Sequence, residues 1–245
     1  MNFKSMLARF ALGVCLISPV FAVTAEHDPK VQLEAVTEAM ITDIEAHKEQ
    51  LKTDIGLAKT LIRKHLLPGF DGRTMGRKVL GHYWRDASEQ QRQAFVNEFT
   101  NLAIDTYAKG LSLYSGQTFK YNNTQYSRSG KTAKVRSEML QPEGPPVKID
   151  YRLRQDGEES WKITDVIIEG ISMAKSYQNQ YRELINKQGL DKTIKQLKEQ
   201  RAALNKAQQD GRADSGSELQ GPDATSARVT ADEGQDNDSE EDDEM

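Results

Sequence analysis

Val147-Lys148-Ile149-Asp150-Tyr151-Arg152-Leu153-Arg154 alternates apolar and charged side chains without a break. A strand repeats every two residues, so this run puts its apolar groups on one face and its charges on the other. That is the pattern of an antiparallel strand with one buried and one wet face. Upstream, Thr132 to Leu140 alternates in the same way, with Val135 and Met139 on one side and Lys134, Arg136 and Glu138 on the other. Before that, Phe119, Tyr121 and Tyr126 sit among polar residues, and Asn122-Asn123 suggests a bulge or bend. Downstream, Trp161 and Ile163 lead into Val166-Ile167-Ile168. Ser129-Gly130, Pro142 to Pro146 and Asp156-Gly157 supply turns between the runs. The expectation is a four-stranded antiparallel meander ended by Gly170, with one face that other elements must cover.

Helical periods flank this sheet. Asp28-Pro29 reads as an N-cap and first helical residue, followed by Val31, Val36, Met40, Ile41, Ile44 and Leu51. A second helix is expected from Thr53 to Leu66, stopped by Pro68-Gly69, and a short one from about Arg73 to Leu80. Ser88-Glu89-Gln90-Gln91 is a capping box, and Phe95, Phe99, Leu102, Thr106 and Tyr107 line one side of the helix it starts. That helix should reach about Leu113. After the sheet, Met173, Tyr177, Tyr181, Leu184 and Ile185 mark another helix, broken by Gly189. Asp191 is expected to cap a last one carrying Ile194, Leu197 and Leu204. The fold class is α+β, the sheet wrapped by helices from both ends of the chain.

The chain divides into residues 1–25, 26–209 and 210–245. In the first, Lys4 and Arg9 precede an apolar run from Phe10 to Val23, and Val23-Thr24-Ala25 suits a cleavage site. Val20-Phe21-Ala22 would serve nearly as well. The run would rise only about 21 Å as a helix, short of a hydrocarbon core about 30 Å thick, which favours a signal peptide over an anchor. Cys15 is the single cysteine and lies inside this run, after Val14 rather than a small residue, so lipidation is not expected and the mature chain has no thiol. Residues 210–245 carry 13 acidic and two basic residues, while residues 26–209 carry 24 acidic and 29 basic. The body is mildly basic. The tail has no apolar period and reads as disordered; a solvated extension is the plain reading, and folding back on the basic body the sharper one.

Chemistry is sparse. There is no Gly-x-Ser-x-Gly elbow and no glycine-rich phosphate loop. His27, His47, His65 and His82 have no metal-ligand spacing, so neither cofactor nor metal is expected. His82 beside Tyr83-Trp84 is the histidine to watch, and Asp165 and Glu169 are carboxylates that flank the last strand. A small enzyme with a buried carboxylate base is the alternative such α+β folds leave open. Nucleic acid is not an expected partner, because basic residues are spread rather than clustered. Lys148, Arg152 and Arg154 share one strand face, which is either solvated or a docking surface for an anionic partner.

Three blocks carry a family likeness. Trp161-Lys-Ile-Thr-Asp-Val-Ile-Ile-Glu-Gly-Ile-Ser-Met173, with the helix–glycine–helix through Leu197, resembles the signature of the MlaC family. Leu67-Pro68-Gly69-Phe70-Asp71 with Val79 to Arg85 is similar to a second block, and Gln91 to Phe95 with Phe99 to a third. The acidic tail does not belong to the pattern. The resemblance implies a non-enzymatic, monomeric periplasmic carrier of phospholipid. It would run between an outer-membrane lipoprotein–porin complex and an inner-membrane ABC transporter, and so maintain outer-membrane lipid asymmetry. It also implies a cone-like domain with an apolar cavity between sheet and helices. Candidate lining residues are Val135, Met139, Val147, Ile149, Tyr151, Leu153 and Ile163 from the sheet. Phe95, Phe99, Leu102, Met173 and Tyr177 are the helical candidates. For each, lipid contact and ordinary core packing both remain open, because alternation shows only that a side chain faces inward.

Overall fold

The computed structural model describes residues 28–157 and 160–210. The signal-peptide reading, the tail beyond Asp210 and residues 158–159 lie outside them. The first helix, α1, spans Pro29–Ala46, and its Asp28 cap accepts the Lys30 amide at 2.7 Å. The first helical period, expected to run on to Leu51, is divided, and the second helix, expected from Thr53 to Leu66, starts at Ile55. Lys48–Leu51 forms α2, and Asp54 caps a new helix, α3 (Ile55–Leu61), by accepting the Leu57 amide at 3.0 Å. The chain then widens into a π-helical turn, Ile62–Leu66, and tightens into a 3-10 turn at Leu67–Gly69. An inserted π turn shifts the facing of the side chains beyond it relative to a continuous α-helix. Here it sets His65 against Asp43 and leaves Leu66 facing the space under α1.

Asp71 caps α4 (Gly72–Leu80), Tyr83–Asp86 forms α5, and the long α6 spans Glu89–Ser112. The capping box of α6 is complete: Ser88 Oγ accepts the Gln91 amide at 3.2 Å, and Gln91 Oε1 accepts the Ser88 amide at 2.9 Å. A Cβ on Gly76 would lie 2.5 Å from the Val96 side chain, so this glycine is what lets α4 and α6 pack closely. The strands are β1 (Thr118–Tyr126), β2 (Thr132–Leu140), β3 (Val147–Asp156) and β4 (Ser160–Ile168), followed by β5 (Ile171–Ser172). Two helices complete the body: α7 (Met173–Gln188) and α8 (Leu190–Gln209).

The sheet has five antiparallel strands in the order β1-β2-β3-β4-β5, not four. Gly170 does not end it. Glu169 and Gly170 both adopt positive φ, 49° and 84°, as in a two-residue primed hairpin turn, and β5 folds back on β4 with Ile171 opposite Ile168. The bulge at Asn122-Asn123 is present, since the β1–β2 register shifts between Tyr121 and Thr124. A second irregularity has no sequence counterpart. Arg152 pairs Asp165 while Leu153 pairs Ile163, which leaves Thr164 as an extra residue in β4. The bulge lets Trp161, Ile163, Val166 and Ile168 share the inner face despite the three-residue step between Ile163 and Val166.

The outer edge of β4 is closed by three parts of the chain. The Gln32 amide lies against the main chain of Trp161, Phe70 forms a parallel bridge with Ile163, and β5 covers Ile167 and Ile168. The Asp71 amide adds a hydrogen bond to the Ile163 carbonyl at 2.9 Å. Just inside this edge, buried Asp165 accepts from Ser172 Oγ at 2.6 Å and from the Ala174 amide at 3.0 Å, which fixes the start of α7 to the sheet. Asp191 does not cap α8. Gly189, at φ 84°, takes that place, and Asp191 sits in the first turn accepting from Gln91 Nε2 at 2.8 Å. A carboxylate there complements the helix dipole.

Buried side chains fall into three clusters. Val79, Leu80, Trp84, Phe95, Phe99, Tyr181, Ile185 and Leu197 join α4, α5, α6, α7 and α8. Leu33, Ala133, Val135, Leu153, Trp161 and Ile163 seat α1 on the sheet. Met40, Ile44, Leu51, Ala58, Leu61, Ile62, Ile104 and Ala108 join α1, α2 and α3 to α6. Between the last two clusters the packing is incomplete.

Candidate functional site

The gap between those two clusters is a cavity of about 480 Å³, partly open to solvent. One wall is the apolar stripe of α1, running Leu33, Val36, Met40, Ile41 and Ile44. Facing it are sheet residues that are cross-strand partners. Phe119 pairs with Met139, Ile149 with Ile168, and Tyr151 with Val166. Leu66, Gly69 and Phe70 close one side, and Gly110, Leu111, Leu113 and Tyr114 from the end of α6 close another. No charged side chain is among the lining residues. Leu113 is 67% exposed and Ile168 37%, so apolar surface continues from the cavity to its rim.

Polar groups in the wall are few and mostly engaged. Thr37 Oγ1 and the Tyr121 hydroxyl lie 2.6 Å apart, and the Tyr121 and Tyr151 rings lie 6.3 Å apart between centroids. Burial pushes both phenols above the usual tyrosine range, most strongly Tyr151. Both therefore stay neutral at any physiological pH, and the wall offers hydroxyls rather than charge. Gln32 commits its amide to Trp161, donating at 2.7 Å and accepting at 3.0 Å. Such a site excludes water from an apolar ligand and makes few directional contacts with it.

The α1 wall is held by discrete polar ties. Besides the Gln32 and Thr37 contacts, Asp43 Oδ2 lies 2.6 Å from both Lys64 Nζ and His65 Nε2. The Lys64 hydrogen bond, followed by that of His65, holds the Asp43 carboxyl down to about 2. The Tyr114 hydroxyl donates to Glu45 at 3.3 Å.

The titratable groups singled out in the sequence have structural partners. Asp165 is tied to the start of α7, Glu169 Oε1 accepts the Lys148 amide at 2.6 Å, and His82 packs on the Tyr83 ring at 3.9 Å between centroids. None of the three lines the cavity. Among the described residues, no group of three or more His, Cys, Asp and Glu side chains could hold a metal ion.

Residues 34–199 match the model of the MlaC protein family. The chain belongs to this family. It is 28% identical over 177 residues to the intermembrane phospholipid transport system binding protein MlaC of Haemophilus influenzae, covering 71% of this chain and 83% of that one. It is 27% identical over 193 residues to the toluene tolerance protein ttg2D of Pseudomonas putida, covering 78% and 88%. Its fold is similar to that of a phospholipid-binding protein from Ralstonia solanacearum solved in complex with a phospholipid. The TM-score is 0.67 at 24% identity, over 73% of this chain and 99% of that one.

The blocks that resemble the MlaC signature acquire physical reasons. Trp161 to Met173 contains the strand edge held by Gln32, the bulge, the primed turn, and the Asp165–Ser172 pair that launches α7. Leu67 to Asp71 contains the turn that bridges to Ile163 and caps α4. These motifs build the cavity's frame and also give it Gly69, Phe70, Ile163, Val166 and Ile168 as lining.

Of the twelve candidate lining residues, Met139, Ile149, Tyr151 and Ile163 do line the cavity. Val135 and Leu153 face the same side of the sheet but are sealed in the core beneath Leu33. Phe95, Phe99, Leu102 and Tyr177 pack in the α6–α7–α8 core, with Phe99 edge-on to Tyr177 at 5.0 Å. Val147 and Met173 are half-buried and lie outside the lining. The α1 stripe, Leu66, Phe70, the end of α6 and the β1 aromatics were not among the candidates. For α1 the signal was available, since its helical period marks an inward face. For Phe119 and Tyr121, pairing opposite Met139 and Ser137 could have found them.

Proposed function

We propose that this protein is a periplasmic carrier that holds phospholipid acyl chain in the cavity between α1 and the sheet. The observation that carries this reading is an uncharged apolar cavity, partly open at its rim, in a chain that belongs to the MlaC family. Burial of an acyl chain is worth roughly 0.8 kcal/mol per CH₂, so a sixteen-carbon chain represents about 12 kcal/mol. That penalty keeps phospholipid from crossing water unaided, and a dry container removes it. The headgroup then sits toward the exposed Leu113 and Ile168 side. Met139, Ile149, Tyr151 and Ile163 contact the chain from the sheet.

The carrier takes lipid between an outer-membrane lipoprotein–porin complex and an inner-membrane ABC transporter, reached after cleavage of the first 25 or so residues. It carries out no reaction on the lipid. Among the described residues, no helix is long and apolar enough to cross a membrane. Mass spectrometry of organic extracts from natively purified protein tests the reading. Co-purifying phospholipid is expected. Lipid-free protein that also fails to take phospholipid from vesicles would overturn it.

A further inference from the structure

The net charge of the body is confined to its last two helices. Residues 26–172 hold 21 basic and 21 acidic residues, whereas residues 173–209 hold eight basic and three acidic, a net of +5. On α7 and α8, Lys175, Arg182, Lys187, Lys192, Lys195, Lys198 and Lys206 are exposed. Arg201 is half-buried and pairs with Glu98 at 3.4 Å. Lys192, Lys195 and Lys198 recur every third residue along one flank of α8. The Lys195–Glu199 pair at 3.5 Å is exposed and neutralises this flank weakly. The 35 residues after Asp210 hold 12 acidic and two basic residues, a net of −10.

We infer that the exposed basic face of α7 and α8 is a docking surface for the chain's own acidic segment, residues 211–245. Three arguments select this occupant. The charges are complementary, and residues 26–172 carry no net charge, so the body's net attraction for an acidic segment lies on α7 and α8. The root of the segment is fixed: Asn205 Nδ2 donates to Asp105 Oδ2 at 3.0 Å, Gln208 Nε2 donates to the Asp105 carbonyl at 2.9 Å, and Lys59 Nζ lies 3.0 Å from Asp105 Oδ1. The segment can also reach. Its 35 residues extend to at most about 115 Å, well beyond the roughly 30 Å length of α8. Tethering raises its effective concentration at that face into about the millimolar range. The segment thereby masks the α7–α8 face from anionic surfaces, and salt unmasks it, since the Debye length falls from about 10 Å at 0.1 M to about 3 Å at 1 M.

Zero-length carbodiimide coupling on the full chain, read by peptide mass spectrometry, tests this without reference to lipid binding. At low salt, tail carboxylates should couple several-fold more to Lys187, Lys192, Lys195 and Lys198 than to the equally exposed Lys48, Lys52, Lys120 and Lys148. High salt should abolish the preference. Even coupling across all of these, or coupling to Lys206 alone, would overturn the inference. A full-length variant carrying E240Q, E241Q, D242N, D243N and E244Q supplies a second readout. Amide shifts relative to the unaltered chain should concentrate on α7 and α8 at low salt. Shifts confined to the tail would overturn it equally.

Discussion

Gln32 and Trp161, 129 residues apart, make a reciprocal pair in which the Gln32 side-chain amide takes the place of a neighbouring strand. It donates to the Trp161 carbonyl and accepts from the Trp161 amide, so α1 is registered against β4 by the geometry of a sheet ladder. Gln32→Leu keeps the bulk and removes both bonds. Leaving main-chain groups unsatisfied at a half-covered edge costs about 1–3 kcal/mol. Chemical denaturation should show a lower midpoint, and hydrogen exchange should show the Trp161 amide losing protection before the centre of β3. An unchanged midpoint would mean that water replaces the glutamine without loss.

The Asp165–Ser172 contact predicts a different failure. Asp165→Ala strands the Ser172 hydroxyl and the Ala174 amide at the start of α7, and bonds to a charged group are worth about 1.5–3 kcal/mol. Ser172→Ala removes an N-cap that also receives the Lys175 amide at 3.1 Å, at a cost of about 1 kcal/mol. Because the two residues share a bond, the double variant should cost less than the sum. Strict additivity in a denaturation cycle would show that they act separately.

Gly110 separates stability from capacity. It lies in the last turn of α6 and lines the cavity, and nothing stands within 4 Å of an added Cβ. Leucine there relieves the helical penalty of glycine, up to about 1 kcal/mol, while projecting into the cavity. Gly110→Leu should therefore melt no lower than the unaltered protein yet co-purify with less phospholipid. Full lipid content in a well-folded variant would place the acyl chain elsewhere.

Acid should loosen α1. Asp43 has its carboxyl held down to about 2 by Lys64 and His65, below its unfolded value near 4. Such a group adds stability that is fully present above the unfolded pKa and is lost as pH falls from about 4 through about 2. Asp43→Asn should be destabilising at pH 6, and its difference from the unaltered chain should shrink below pH 4 in urea titrations. A gap that stays constant down to pH 2 would remove Asp43 from the acid response.

The sheet could be read closely in the sequence because one face is wet. Alternation at Val147 to Arg154 and Thr132 to Leu140 marked both strands, and Asn122-Asn123 marked the first bulge. The β4 bulge was hidden because Val166-Ile167-Ile168 is apolar on both faces, so nothing in composition shows Thr164 as extra. β5 was hidden because a single glycine signals a stop and a turn equally. The cavity was less legible. Inward-facing residues such as Leu153 and Ile149 have the same pattern in sequence, yet one is sealed in a core and the other lines a gap. Periodicity reports which way a side chain points. It is silent on whether anything fills the space in front of it.

Sealing the β4 edge also imposes an order of events. Gln32 and Phe70 wait for partners 129 and 93 residues later, and the last cover arrives only with Ser172. Contacts of such long sequence separation form late and slow the closing of a fold. A chain emerging from its N-terminus therefore keeps the Gln32 end of α1 without its β4 mate until β4 has emerged. Over most of its emergence it stays unfinished, which is the state in which a polypeptide can still be threaded.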